Sequence, residues 1–177
     1  AMAGCEIWLI RHGESDWNAA GRWQGHGNPG LSARGREQAA ARALRLAGEG
    51  FDALYASDLQ RALETAAAIG VRIGLEAVVD PRLRERDVGR WTGLRAAEIR
   101  RTEAALLLRF ERRDDPDLRP GGGESDNDLA RRVRPCLAEL GAAHPGQKIA
   151  CVTHLGVVRL FAPQSAPDFA SVTVIKG

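Results

Sequence analysis

The chain has 177 residues, 44% of them apolar and 27% charged, with a formal net charge of +2 at pH 7. That length supports one core of ordinary size rather than two, and the composition excludes a disordered chain, a collagen and a disulfide-stapled miniprotein. So small a positive excess gives no ground for a nucleic-acid partner.

No apolar run approaches the ~20 residues of a membrane span, and the N-terminal residues lack the pattern of a secretory signal. A cytoplasmic protein with no membrane association is expected, with Ala1 ahead of Met2 read as an expression scar. The three cysteines, Cys5, Cys136 and Cys151, are odd in number, and two sit in apolar segments, so they read as core residues. Arginine far outnumbers lysine, which is present only as Lys148 and Lys176. Any phosphate contacts would therefore be made by planar guanidinium forks.

In chain order, Ile7-Trp8-Leu9-Ile10 is an unbroken apolar run closed by Gly13, which predicts a strand buried on both faces of a parallel sheet. Residues 21–30 read as a loop. A helix is predicted over 32–46 with Ser32 as its cap, then a strand over 51–56 and a helix over 58–69 ended by Gly70. A short strand follows at 77–80 and a third helix at about 94–110. After a Pro/Gly-rich loop at 116–123, a fourth helix covers about 125–140, bent or split by Pro135. Ile149-Ala150-Cys151-Val152 repeats the form of the first strand, 163–167 is loop, and 171–175 is the fifth strand. Strands alternating with helices predict an α/β fold, a three-layer α/β/α sandwich around a mainly parallel sheet. Ligands in such sheets bind at the carboxyl ends of the strands.

That rule selects residues. Arg11-His12-Gly13 follows the first strand, Ser57-Asp58 leads from the second strand to Arg61, and Thr153-His154-Leu155-Gly156 follows the fourth apolar run. Arg61 falls in the first turn of its helix, where side chains lean toward the N-terminus and reach the same edge. Two His and two Arg at one sheet edge, beside helix starts with free amide donors, suit a phosphoryl dianion. His26 and His144 lack such a context and read as loop residues. A nucleophilic histidine must present an unprotonated nitrogen, so its other nitrogen needs an acceptor; a carbonyl near Gly13 is suitable, and Gly13 permits the close turn. Three acids compete to protonate a leaving oxygen: Glu14, Glu85 and Glu124, with Glu85 otherwise readable as a solvated charge among Arg82, Arg84 and Arg86.

An ordered series of stretches then resembles the histidine phosphatase superfamily, which includes cofactor-dependent phosphoglycerate mutases and many small-molecule phosphatases. These are Leu9-Ile10-Arg11-His12-Gly13-Glu14-Ser15 with Asn18, Gly21-Arg22-Trp23-Gln24-Gly25, and Leu31-Ser32 with Gly35. They continue through Ser57-Asp58-Leu59 with Arg61 and Thr65-Ala66, Leu83-Arg84-Glu85 with Gly89 and Trp91, Gly122-Gly123-Glu124-Ser125, and Val152-Thr153-His154.

The resemblance covers nearly the whole chain and implies a phosphoglycerate mutase-like fold. It further implies one domain over 1–177 with a small lid-like insertion at about 94–123. Carried over position by position, it implies that His12 attacks phosphorus while Arg11, Arg61 and His154 hold the phosphoryl oxygens. Asn18, Gln24, Gly25 and the backbone at Leu155 would add substrate contacts, and Glu85 would be the general acid. It implies no metal and no cofactor, and a small phosphorylated metabolite as partner, and it leaves a homodimer open.

The run Glu85-Arg86-Asp87-Val88-Gly89-Arg90-Trp91 looks like the phosphatase branch rather than the mutases. A mutase and a non-catalytic phosphate-binding module are the alternatives. Arg109, Arg112, Arg113 and Arg119 of the insertion are either a solvated helical face or contacts for a second acidic group. Leu155 stands where the family often has glycine, and the chain between Val158 and Ser171 is shorter than in most relatives.

Overall fold

The computed structural model describes residues 3–177; Ala1 and Met2, with the reading of them as a scar, lie outside the described residues. All five expected strands form and share one sheet: β1 (Glu6–Arg11), β2 (Ala53–Ala56), β3 (Val78–Val79), β4 (Lys148–Thr153) and β5 (Val172–Lys176), in the order β3-β2-β4-β1-β5. The first four are parallel, and β5 runs antiparallel along β1. The helices are α1 (Asp16–Ala19), α2 (Ala33–Leu46), α3 (Gln60–Ile73), α4 (Ala96–Arg112), α5 (Asp126–Ala143) and α6 (Leu155–Phe161).

The apolar runs carry a hidden period of two, because successive strand side chains point to opposite faces. Ile7, Leu9, Ile149 and Cys151 meet Leu129, Val133 and Leu137 of α5 and Val157 of α6. Ile10, Ala150, Val152, Leu54 and Ala56 instead meet Ala43 and Leu46 of α2 and Ala66 and Ile69 of α3. At roughly 1.5–3 kcal/mol for each fully buried large aliphatic side chain, both faces drive the layering. A third cluster, Val88, Trp91, Ile99 and Leu107, packs with Trp23 and Phe110 beneath α4. All three cysteines are buried and unpaired, and no helix among the described residues is long and apolar enough to cross a membrane.

Two local expectations are corrected. Gly70 does not end α3: it lies inside the helix, where an added Cβ would come within 2.5 Å of the Leu75 carbonyl. The helix stops at Gly74, in the left-handed conformation at φ 74°. Pro135 does not split α5, which runs unbroken to Ala143. Pro135 and Arg131, whose carbonyl the ring deprives of its helical donor, are both exposed residues. The kink falls in α4 instead, at Glu103 (φ −141°, ψ 42°), whose carboxylate accepts from the Trp91 indole N–H at 2.8 Å. The short helices α1 and α6 carry too few turns to show a period and were not anticipated.

Candidate active site

β1 ends in Arg11, and the next residue, His12, is only 1% exposed. Its backbone N–H continues the ladder to the Thr153 carbonyl at 3.1 Å, so the ring sits where β1 and β4 both stop. The Nδ1–H donates to the Gly13 carbonyl at 2.6 Å, leaving the Nε2 lone pair unprotonated. Burial pushes the imidazole well below its ordinary pKa, the nearby Arg61 and Arg11 charges push it further, and only the Gly13 bond opposes them. Gly13 is required for a different reason than turn geometry. Its φ is not left-handed, but a Cβ there would lie 2.5 Å from the Gly35 carbonyl, where α2 crosses the end of β1. The Gly13 N–H donates to Thr65 Oγ1 at 3.0 Å, and that hydroxyl donates to the Arg61 carbonyl at 2.8 Å, tying the His12 turn to α3.

His154 is fully buried beside His12, with ring centroids 5.1 Å apart. Ser57 Oγ accepts from the Leu59 N–H at 3.2 Å, which leaves its own proton to donate to His154 Nε2 at 2.8 Å. That arrangement places the ring proton on Nδ1, which is buried without a partner. Burial and then the Arg61 charge hold this imidazole neutral as well. Arg61, also fully buried, donates to the carbonyls of Gly27 (2.8 Å) and Gly25 (2.9 Å), while its Nε has no acceptor. Burial lowers its pKa to about 10, countered by Glu85, so it stays charged at neutral pH. Arg11 donates to the Pro167 carbonyl at 2.8 Å and stacks on Phe169; its Nε is likewise buried without a partner.

These residues lie at the base of a cavity of about 890 Å³. Arg11, His12, Asn18, Gln24, Gly25, Glu85 and Leu155 line it, whereas Arg61 and His154 lie behind the lining. Asn18 and Gln24 are fixed through Ser15: Asn18 Oδ1 accepts from the Ser15 N–H at 3.0 Å, and Gln24 Oε1 accepts from its hydroxyl.

The geometry separates the three competing acids. Glu14 accepts from Ser32 Oγ at 2.8 Å, and Glu124 is held by both Arg132 and the Asp87 amide; neither lines the cavity. Glu85 does. The flanking arginines are committed elsewhere, Arg82 to Asp80, Arg84 to Asp58 and Arg86 to Asp126, so Glu85 has no ion-pair partner among them. Arg132 clamps its segment by donating to the carbonyls of Arg82, Arg84 and Glu85.

Sequence reasoning missed several participants. Ser57 orients His154, Arg132 holds the Glu85 segment, and His26 contacts the Glu85 carbonyl at 2.8 Å. Arg159, one turn into α6, lines the cavity with its Nε buried and unpartnered. A helical +4 spacing from Leu155 is the signal that points to Arg159. Of the insertion's arginines, Arg109, Arg112 and Arg113 line the cavity, while Arg119 is paired with Asp128 away from it. His144 bonds Tyr55 and Gln147, outside the site.

A sequence model described as the histidine phosphatase superfamily, branch 1, matches residues 7–166. The chain is 39% identical over 165 residues to glucosyl-3-phosphoglycerate phosphatase of Mycobacterium tuberculosis, covering 89% of this chain and 73% of that one. It is 42% identical over 157 residues to metal-independent phosphoserine phosphatase of Arabidopsis thaliana, covering 87% and 66%. Among solved structures, native mycobacterial glucosyl-3-phosphoglycerate phosphatase superposes with a TM-score of 0.88 at 35% identity, over 97% of this chain and 90% of that one.

Proposed function

The chain belongs to the histidine phosphatase superfamily and is a phosphatase, a phosphoric monoester hydrolase; from that premise we propose that it hydrolyses small phosphate monoesters through a phosphohistidine on His12, without a metal ion. One observation carries this reading. Around a neutral imidazole whose free nitrogen is Nε2, three buried nitrogens, Arg11 Nε, Arg61 Nε and His154 Nδ1, have no acceptor. Leaving buried donors unmatched costs about 1–3 kcal/mol each, and a phosphoryl group has the oxygens to accept from them. The two guanidiniums supply the positive charge that a metal would otherwise bring.

In the first step Nε2 of His12 attacks phosphorus, the P–O bond to the leaving group breaks, and Glu85 delivers its proton to the departing oxygen. In the second, the Glu85 carboxylate takes a proton from water, whose oxygen attacks the phosphohistidine and releases inorganic phosphate. The leaving group occupies the cavity between Trp23, Phe110 and α6. The insertion at about 94–123, built on its own apolar cluster, serves as a lid. Arg112 and Arg113 have no carboxylate partner among the described residues, unlike Arg109 and Arg119, and are assigned to an acidic group on the leaving side. The relative named metal-independent supports the metal-free reading. Three buried, unpaired thiols suit the cytoplasm, a reducing compartment.

Rapid-quench labelling with a phosphorylated substrate in excess chelator tests the mechanism. An acid-labile phosphoenzyme that disappears in His12→Ala is the expected result. Activity abolished by the chelator would overturn the metal-free claim, and a label that survives in His12→Ala would overturn the nucleophile.

A further inference from the structure

Gly156 is the second residue of α6, directly after Leu155, and its backbone is helical with no left-handed φ. Nothing in its own conformation calls for glycine. Glycine loses more backbone freedom than any other residue when fixed in a helical conformation, so this position forgoes stability. The reason lies across the cavity. The Gly156 N–H donates to Glu85 Oε2 at 3.2 Å, and the Arg86 N–H donates to Oε1 at 2.7 Å, so the carboxylate is gripped by one amide on each oxygen. An added Cβ on Gly156 would fall well inside van der Waals contact with Glu85 Oε1; the next neighbours, Glu85 Cδ and Leu129 Cδ2, would stand at 3.3 and 3.6 Å. No backbone atom obstructs it. The one thing that a side chain at 156 must displace is the end of a flexible carboxylate.

We propose that Gly156 is the positioning residue for the proton donor: by lacking a side chain it admits the Glu85 carboxylate onto the first turn of α6 and fixes one of its oxygens there. The same turn begins at His154, so the group facing the phosphoryl oxygens and the one facing the leaving oxygen are set by a single rigid element. The two amide donors hold one carboxylate oxygen each, so the group that takes a proton from water in the second step is fixed at both ends. The weaker bond, from Gly156, is the one to yield when Oε2 carries a proton. This inference rests on Glu85 being the acid, as proposed above.

Gly156→Ala tests it, because the substitution separates fold from function. Alanine favours the helix, so the thermal midpoint should hold or rise by a few degrees. The kcat/KM on an alkyl phosphate, which stops at departure of an oxygen that needs a proton, should fall by roughly 10²-fold, with kcat/KM on nitrophenyl phosphate, whose leaving group needs none, changed by less than ~3-fold. In a Glu85→Gln background the same change should cost nothing further on the alkyl ester, since the residue acts only through the acid. Labelling glutamate side chains with 13C gives a readout independent of turnover: at a fixed pH the Glu85 Cδ resonance should move in Gly156→Ala as the amide grip loosens. If that resonance shifts while the two esters lose activity equally, the positioning holds and the acid assignment falls. An unmoved resonance, or a further loss in the Glu85→Gln background, would overturn the role of Gly156.

Discussion

The floor and the mouth of the cavity are built on opposite plans. At the floor, His12, Ser57, Arg61, Thr65 and His154 are each no more than 1% exposed, and each is tied to main chain or to one another. At the mouth, Arg109, Arg112 and Arg113 are exposed, sit at the end of a kinked helix, and rest on a separate apolar cluster around Trp91 and Leu107. Side chains locked by packing hold geometry but cannot adapt, whereas solvated arginines on a semi-independent element adapt but fix little. On the proposed reading, the difference teaches that phosphoryl chemistry is set by where parallel strands stop, and leaving-group preference by a part that can vary without disturbing them.

Arg61→Met offers the severest break of that contrast. Removing a buried donor and charge should lower kcat/KM by about 10²–10³-fold on every phosphate ester, whatever its leaving group. Steady-state kinetics on a panel of esters checks this, and a loss that varies strongly with the leaving group would mean that floor and mouth are not separable.

The buried histidine pair sharpens the contrast through pH. Both imidazoles have folded pKa values depressed below the ordinary ~6.5. The unfolded chain therefore binds protons that the native floor refuses. The sign is definite: stability contributed by the neutral rings is whole above pH ~6.5 and is lost as pH falls toward their folded values, at up to about 1.4 kcal/mol per pH unit for each. Urea midpoints measured from about pH 8 down to about pH 5 should decline, and His154→Asn should flatten the decline. For the same reason the acid limb of kcat/KM should not fall at the usual imidazole value.

The smallest effect belongs to the mouth. Arg112→Ala should raise KM about 10-fold, near 1.4 kcal/mol, for esters whose leaving group bears a carboxylate, with a smaller rise for neutral esters. Inhibition constants for matched acidic and neutral analogues measure the same difference. Equal effects on both would assign Arg112 to solvent.

Much of the floor was legible because it obeys local rules. The apolar run at Ile7–Ile10 announces a buried strand, and the strand-end rule then nominates Arg11, His12 and His154. What stayed hidden depends on partners far away in the chain. Ser57 was visible as a strand-end residue, but its bond to His154 spans 97 positions. Arg132 reads as ordinary helix surface until three carbonyls of the Glu85 segment converge on it. Gly70 misled because glycine near a helix end usually terminates it, whereas here the approach of the Leu75 carbonyl calls for a glycine and Gly74 supplies the end. Pro135 misled because it and Arg131, whose carbonyl it deprives of a donor, are both exposed.

β1 makes its sheet contacts only with β4 and β5, more than a hundred residues later. During folding β1 must therefore wait for β4 and β5, and such distant pairings close slowly. Until they do, Ile7, Leu9 and Ile10 have no sheet to join, and His12 has no fixed place. The proposed nucleophile precedes by more than a hundred residues the strands that house it, so a chain trapped before β5 docks would carry His12 and His154 while exposing an adhesive apolar edge.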